Sequence, residues 1–170
     1  MKKLLERIKL CKLSPPQRRS LPYECYWEDS ILTQEQERIF SNQWLGLGRS
    51  DRLENPGEYE VFELCGKALV LIRNQDKELR LYANTCRHRG AKLLDGTGQC
   101  QAISCPFHGW TYSLDGNLKH AKTMAENPSF DFKEHSLIEY KLKELQGFLF
   151  GFLGNKPTDL SNQLGNFSEL

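Results

Sequence analysis

Two cysteine–histidine pairs constrain this chain more than any other feature of its sequence. Cys86-Arg87-His88 and Cys105-Pro106-Phe107-His108 each set one soft thiol ligand beside one imidazole, and sixteen residues separate His88 from Cys105. A fold that uses both pairs together must bring two loops side by side on a scaffold. In an extended segment residues i and i+2 point to the same side, so the first pair is expected to lie extended with both side chains facing one group. The second pair needs a turn, for which Pro106 and Gly109 have the right chemistry. Gly90 and Gly109 are read as removing side-chain bulk where backbone passes close to sulfur, with nearby N–H groups able to bond it.

The two-plus-two donor set has two chemical readings. In a mixed-ligand cluster of two irons and two sulfides, two cysteinates bind one iron and two histidines the other. The same donors also suit one tetrahedral zinc, although ordinary zinc fingers use different spacings. The remaining cysteines, Cys11, Cys25, Cys65 and Cys100, have no histidine at ligand spacing and read as free thiols. His120 and His135 stand fifteen residues apart, without the close helical spacing of a paired metal site.

Composition narrows the function classes. A chain of 170 residues can bury one ordinary core. Its net charge of +1 gives no global electrostatic case for nucleic acid. The longest apolar run, GFLFGFL at 147–153, is far shorter than the roughly 20 residues of a spanning helix. The N-terminus is basic but lacks the unbroken apolar core of a secretory signal, so the expectation is a cytoplasmic chain with no transmembrane segment.

Residues 1–30 read as an arm. Residues 1–22 carry seven Lys/Arg against one acid, and Leu4, Leu5, Ile8 and Cys11 fall at roughly helical spacing until Ser14-Pro15-Pro16 breaks the pattern. Residues 33–44 are expected to be a helix, with Thr33 and Gln36 as a capping box and Ile39, Phe40 and Trp44 at its buried end. Strand signals follow at 44–49, 58–64, 67–73 and 79–83, the third continuously apolar and therefore central. Asp115-Gly116-Asn117 marks a tight hairpin between 110–114 and 118–119, and two last strands are expected at 137–142 and 147–153. Beyond Gly154 no element is predicted. Short turn-separated strands of this kind imply a mainly β, antiparallel sandwich or barrel.

Taken whole, Cys86-Arg87-His88-Arg89-Gly90-Ala91 and Cys105-Pro106-Phe107-His108-Gly109-Trp110-Thr111-Tyr112, with Leu114-Asp115-Gly116 behind, resemble the Rieske domain of the α subunit of Rieske non-haem iron, ring-hydroxylating oxygenases. The resemblance runs over about residues 23–155 and includes the segment into Trp44, residues 69–73 and residues 145–150. It implies a Rieske fold with a small cluster-binding subdomain and a short N-terminal helix. It implies one 2Fe–2S cluster per chain, held by Cys86, His88, Cys105 and His108. Respiratory Rieske proteins carry a further cysteine in each loop, where Ala91 and Phe107 stand here. The resemblance therefore places the cluster toward the low end of the roughly −150 to +300 mV range.

The domain expectation is an arm at 1–30, a Rieske domain at 31–155, and at 156–170 a tail or the start of a catalytic domain. The family's mononuclear-iron site of two histidines and a carboxylate is not expected within this chain, so no catalytic residue is assigned. The function implied is one-electron transfer from a reductase or ferredoxin donor to a mononuclear-iron oxygenase domain. A free-standing Rieske ferredoxin and a structural zinc module are the alternatives. For Trp110 and Tyr112 two readings stand: packing over the site or a hydroxyl bonded to a ligand on one side, plain core aromatics on the other.

Overall fold

A computed structural model describes residues 2–122, 124 and 126–165. The chain forms two compact units, residues 1–39 and 40–170. In the first, α1 (Lys2–Lys9) runs into a 3-10 turn at Leu10–Lys12, ahead of the prolines. A second 3-10 turn at Tyr23–Tyr26 precedes α2 (Asp29–Arg38). Arg7 and Glu24 pair at 2.6 Å within this unit.

The helix expected at 33–44 is displaced. It begins at Asp29 and ends at Arg38, and Trp44 belongs to a strand. Thr33 is not a cap: its hydroxyl donates to the Asp29 carbonyl at 2.9 Å, the i−4 bond that Ser and Thr make inside helices.

The second unit is antiparallel throughout its described pairings. Its strands are β1 (Trp44–Arg49), β2 (Glu58–Leu64), β3 (Lys67–Arg73), β4 (Leu79–Ala83), β5 (Thr97–Gln99), β6 (Ile103–Ser104), β7 (Thr111–Tyr112), β8 (Leu118–His120), β9 (Glu139–Leu145) and β10 (Phe148–Phe152). Seven form one sheet in the order β1-β10-β9-β4-β3-β2-β5, and β6-β7-β8 form a second, smaller sheet. The continuously apolar β3 is interior, with Leu69, Val70, Leu71 and Ile72 fully buried. The mainly β expectation and its central strand are therefore observed, and the small sheet is the separate subdomain.

Three elements had little sequence signal. β5 and β6 are three and two residues long, too short for a period of two to register. A helix, α3 (Leu160–Leu164), follows Gly154, capped by the Asp159 carboxylate, which accepts from Ser161 N–H. Its Gln163 side chain meets the Trp44 backbone twice, at 2.8 Å to the N–H and 2.7 Å to the carbonyl, which satisfies part of the open edge of β1. The strand expected at 137–142 runs at Glu139–Leu145 instead.

The Asp115-Gly116-Asn117 hairpin connects the two sheets. Ser113 N–H donates to Asn117 O at 2.9 Å, and Leu137 N–H to Gly116 O at 2.8 Å. Buried Asn74, at the β3–β4 turn, donates to the Asp115 carboxylate at 2.8 Å and accepts from Glu78 N–H at 2.8 Å. Gly116 has φ +76°, and a Cβ there would stand 2.7 Å from the buried Tyr82 ring. Gly116→Ala is thus expected to cost at least about 1 kcal/mol, lowering the melting temperature by roughly 2–4 °C in a thermal melt followed by circular dichroism. An unchanged melting temperature would contradict the role given to this turn.

Candidate metal centre

The two ligand loops are built alike. In the first, Cys86 N–H donates to Ala91 O at 2.8 Å and Gly90 N–H to Cys86 O at 3.0 Å; in the second, Cys105 N–H donates to Trp110 O at 2.8 Å and Gly109 N–H to Cys105 O at 3.1 Å. Each loop is thus a turn that starts at a cysteine and reverses at a glycine four residues on. The expectation of an extended first motif is corrected here, because Gly90 at φ +75° turns the chain back as Gly109 does at φ +68°. Both glycines take the left-handed backbone that these turns require.

Different elements carry the two loops. The second is the tip of the β6–β7 hairpin, with Ile103 opposite Tyr112 and Ser104 opposite Thr111. The first leaves β4 through buried Asn84, whose amide donates to Leu94 O at 2.8 Å and accepts from Leu94 N–H at 3.0 Å. These two bonds, with the Thr85–Lys92 bridge, close residues 85–93 into one excursion. Sequence reasoning passed over Asn84, although an asparagine at a strand end two residues before a ligand pair is the available signal.

Tyr112 ties the loops together. Its hydroxyl oxygen accepts Arg87 N–H at 3.0 Å and lies 3.4 Å from Cys86 Sγ. With the oxygen accepting from Arg87, the phenolic proton is free to point at the sulfur. Burial, and then the contact with Cys86, push the phenol's pKa up, so it stays a donor. This arrangement fits the hydroxyl-to-ligand reading of Tyr112.

The four predicted residues come together around one cavity of about 390 Å³, whose wall also includes Arg89 and Phe107. Cys86 and Cys105 are buried in the hydrophobic core, while His88 is half-buried and His108 exposed. The imidazole centroids stand 4.9 Å apart at 76°. His88 Nδ1 is buried with no hydrogen-bond partner among the described residues. Desolvation first, then the charges of Arg89 and His108, hold the His88 pKa below the usual imidazole value, which favours a neutral ring with a lone pair for a metal. Two buried cysteines, one half-buried and one exposed imidazole, and an orphaned ring nitrogen fit the donor set of a 2Fe–2S cluster.

The other sulfur and imidazole groups lie elsewhere. All six cysteines are free thiols. His120 sits exposed at the end of β8, and His135 Nδ1 is 2.8 Å from Asp131 O with its ring on Phe130. Among the described residues no three His, Cys, Asp or Glu side chains gather closely enough to hold a single metal ion. Asn84→Ala is expected to lower unfolding stability by about 1–3 kcal/mol, the cost of leaving part-buried Leu94 backbone groups without their partner. Denaturant titration reads the effect, with limited proteolysis cutting first within 85–93; a wild-type midpoint would rule out the clamp.

Comparison with known proteins agrees with this geometry. Residues 43–137 match the model of the Rieske [2Fe-2S] domain. The chain is 34% identical over 152 residues to the carnitine monooxygenase oxygenase subunit of Escherichia coli (strain K12), covering 89% of this chain and 41% of that protein. It is 30% identical over 142 residues to the benzene 1,2-dioxygenase subunit alpha of Pseudomonas putida, covering 82% and 32%. The structure of a quaternary ammonium Rieske monooxygenase superposes with a TM-score of 0.81 at 34% identity, over 87% of this chain and 41% of that one. Naphthalene 1,2-dioxygenase from Rhodococcus sp. shares the fold with a TM-score of 0.86 at 24% identity, over 98% and 38%. The chain thus spans about two fifths or less of the length of these oxygenase subunits. No described helix is long and apolar enough to cross a membrane. The chain belongs to the Rieske [2Fe–2S] domain family, whose cofactor is a 2Fe–2S cluster, in the form carried by the alpha subunits of Rieske oxygenases.

Proposed function

We propose that this chain is the electron-carrying part of a Rieske oxygenase, with Cys86 and Cys105 binding one iron of the cluster and His88 and His108 the other. The observation that carries the reading is the pair of like turns, each starting at a buried cysteine and presenting a histidine outward around one cavity. The family match over residues 43–137 supports a two-iron cluster over a single zinc. When bound, the cluster supplies one-electron transfer. The chain's own residues would hold it: the cysteines and histidines would supply its ligands, and the Tyr112 hydroxyl lies within reach of the Cys86 sulfur.

The relatives act on unlike molecules, carnitine in one case and benzene in another, yet share this portion with the chain. That pattern supports a step independent of substrate. The donor is a reductase or ferredoxin, and the acceptor is a mononuclear-iron oxygenase domain. Residues 31–155 are the electron-carrying domain, 1–30 an arm, and 156–170 a tail or the start of a catalytic domain. The similarity to oxygenase subunits covers 89% of the chain, which favours this origin over a free-standing ferredoxin. The working compartment is the cytoplasm.

Ligand substitution tests the assignment. His108→Ala is expected to abolish the electron paramagnetic resonance signal of the reduced cluster, and His120→Ala to leave it unchanged. A wild-type signal from His108→Ala would refute the ligand set. Tyr112→Phe removes a donor that stabilises the more negative, reduced state. Its loss is expected to lower the midpoint potential by roughly 20–65 mV, one hydrogen bond's worth for a one-electron couple. Redox titration checks this, and an unchanged or raised potential would contradict the bond.

A further inference from the structure

Trp110 stands two residues beyond His108, yet its ring serves the other loop. The indole stacks on the His88 imidazole with centroids 4.8 Å apart and planes within 14°. Phe130 and His135 meet the same indole edge-on, each at 5.7 Å, and stack on one another at 4.3 Å. Trp110 is only 2% exposed, and its Nε1–H is buried with no acceptor among the described residues. A buried donor left unpaired carries a desolvation penalty, so such a group in a native fold calls for an explanation. Phenylalanine would fill much of the same space without that penalty. What tryptophan adds is a broad flat face against the imidazole.

His88 needs such a face. Its buried Nδ1 makes no hydrogen bond among the described residues, and no polar partner among them is seen to fix its plane. The ring is held by packing: the indole face, and the edge contact with His108 at 76°. A metal-bound histidine is ordinarily oriented by a partner on its other nitrogen. Within the chain, the described contact that sets the ring's plane is the aromatic stack.

We propose that Trp110 is a positioning residue that fixes the plane of the His88 imidazole, backed by Phe130 and His135, and through that plane tunes the cluster. The proposal rests on the reading of His88 as an iron ligand. The orientation of a ligand ring governs its overlap with the metal, and therefore enters both the magnetic signature and the reduction potential.

The test compares wild type, Trp110→Phe, Trp110→Leu and Phe130→Leu, each purified anaerobically and assayed for iron and sulfide before spectroscopy and redox titration. In cluster-loaded protein, Trp110→Leu is expected to shift the g-values of the reduced cluster. It should also change the equilibrium constant for reduction by roughly threefold to tenfold, the size of one aromatic pair. Phe130→Leu moves both in the same direction by less. Trp110→Phe, which keeps a stacking ring and removes the unpaired N–H, stays near wild type and melts no lower. Loaded Trp110→Leu and Phe130→Leu proteins with wild-type g-values and potentials would overturn the proposal. If Trp110→Leu does not fold, Phe130→Leu decides, since its ring lies one layer away from His88. A wild-type chain without iron and sulfide would remove the ligand role of His88, and this proposal with it.

Discussion

Burying two thiols in one apolar cluster is the constraint on which the rest of this structure depends. Cys86 and Cys105 are 2% and 4% exposed, in a core that also contains Val70, Ile72, Tyr82, Trp110, Tyr112 and Leu114. A thiolate in such surroundings is costly unless a metal or a donor compensates its charge. The core therefore fixes where the two cysteine sulfurs lie. The large sheet supplies Val70, Ile72 and Tyr82, the small sheet supplies Tyr112, and the two loops emerge where the sheets meet. Asn74 and Asn84, both buried and both bonded through their side chains, hold the connections that keep those loops adjacent.

The division between inner cysteines and outer histidines gives the site its direction. The cysteine side is buried and apolar, while His108 and Phe107 are exposed, Phe107 being the most exposed large apolar residue among the described residues at 74%. In the proposed reading, such a site would pass electrons toward whatever covers the imidazoles.

Much of this was legible in the sequence because its signals are local. The ligand pairs are spaced by covalent chain length, the strands from Glu58 to Ala83 alternate or run apolar, and Asp115-Gly116-Asn117 permits little but a tight turn. What escaped depends on contacts distant in sequence. The first loop is a turn because Gly90 adopts a positive φ, a choice that spacing alone does not reveal. The helix at Leu160–Leu164 is stabilised by Trp44, more than a hundred residues earlier, which its own five residues do not signal. The Thr33–Gln36 pattern misled because its hydroxyl found a carbonyl inside a helix already begun at Asp29. The stack of Trp110 on His88 joins two loops and leaves no periodic trace.

The central claim is that the four donors hold two irons and two sulfides and not one zinc. Iron, zinc and acid-labile sulfide, counted per chain on anaerobically purified protein with visible spectra before and after dithionite, test it most directly. The account predicts about two irons and two sulfides, and a colour that bleaches on reduction. About one zinc, no sulfide and no bleaching would contradict it and leave a structural metal module in its place.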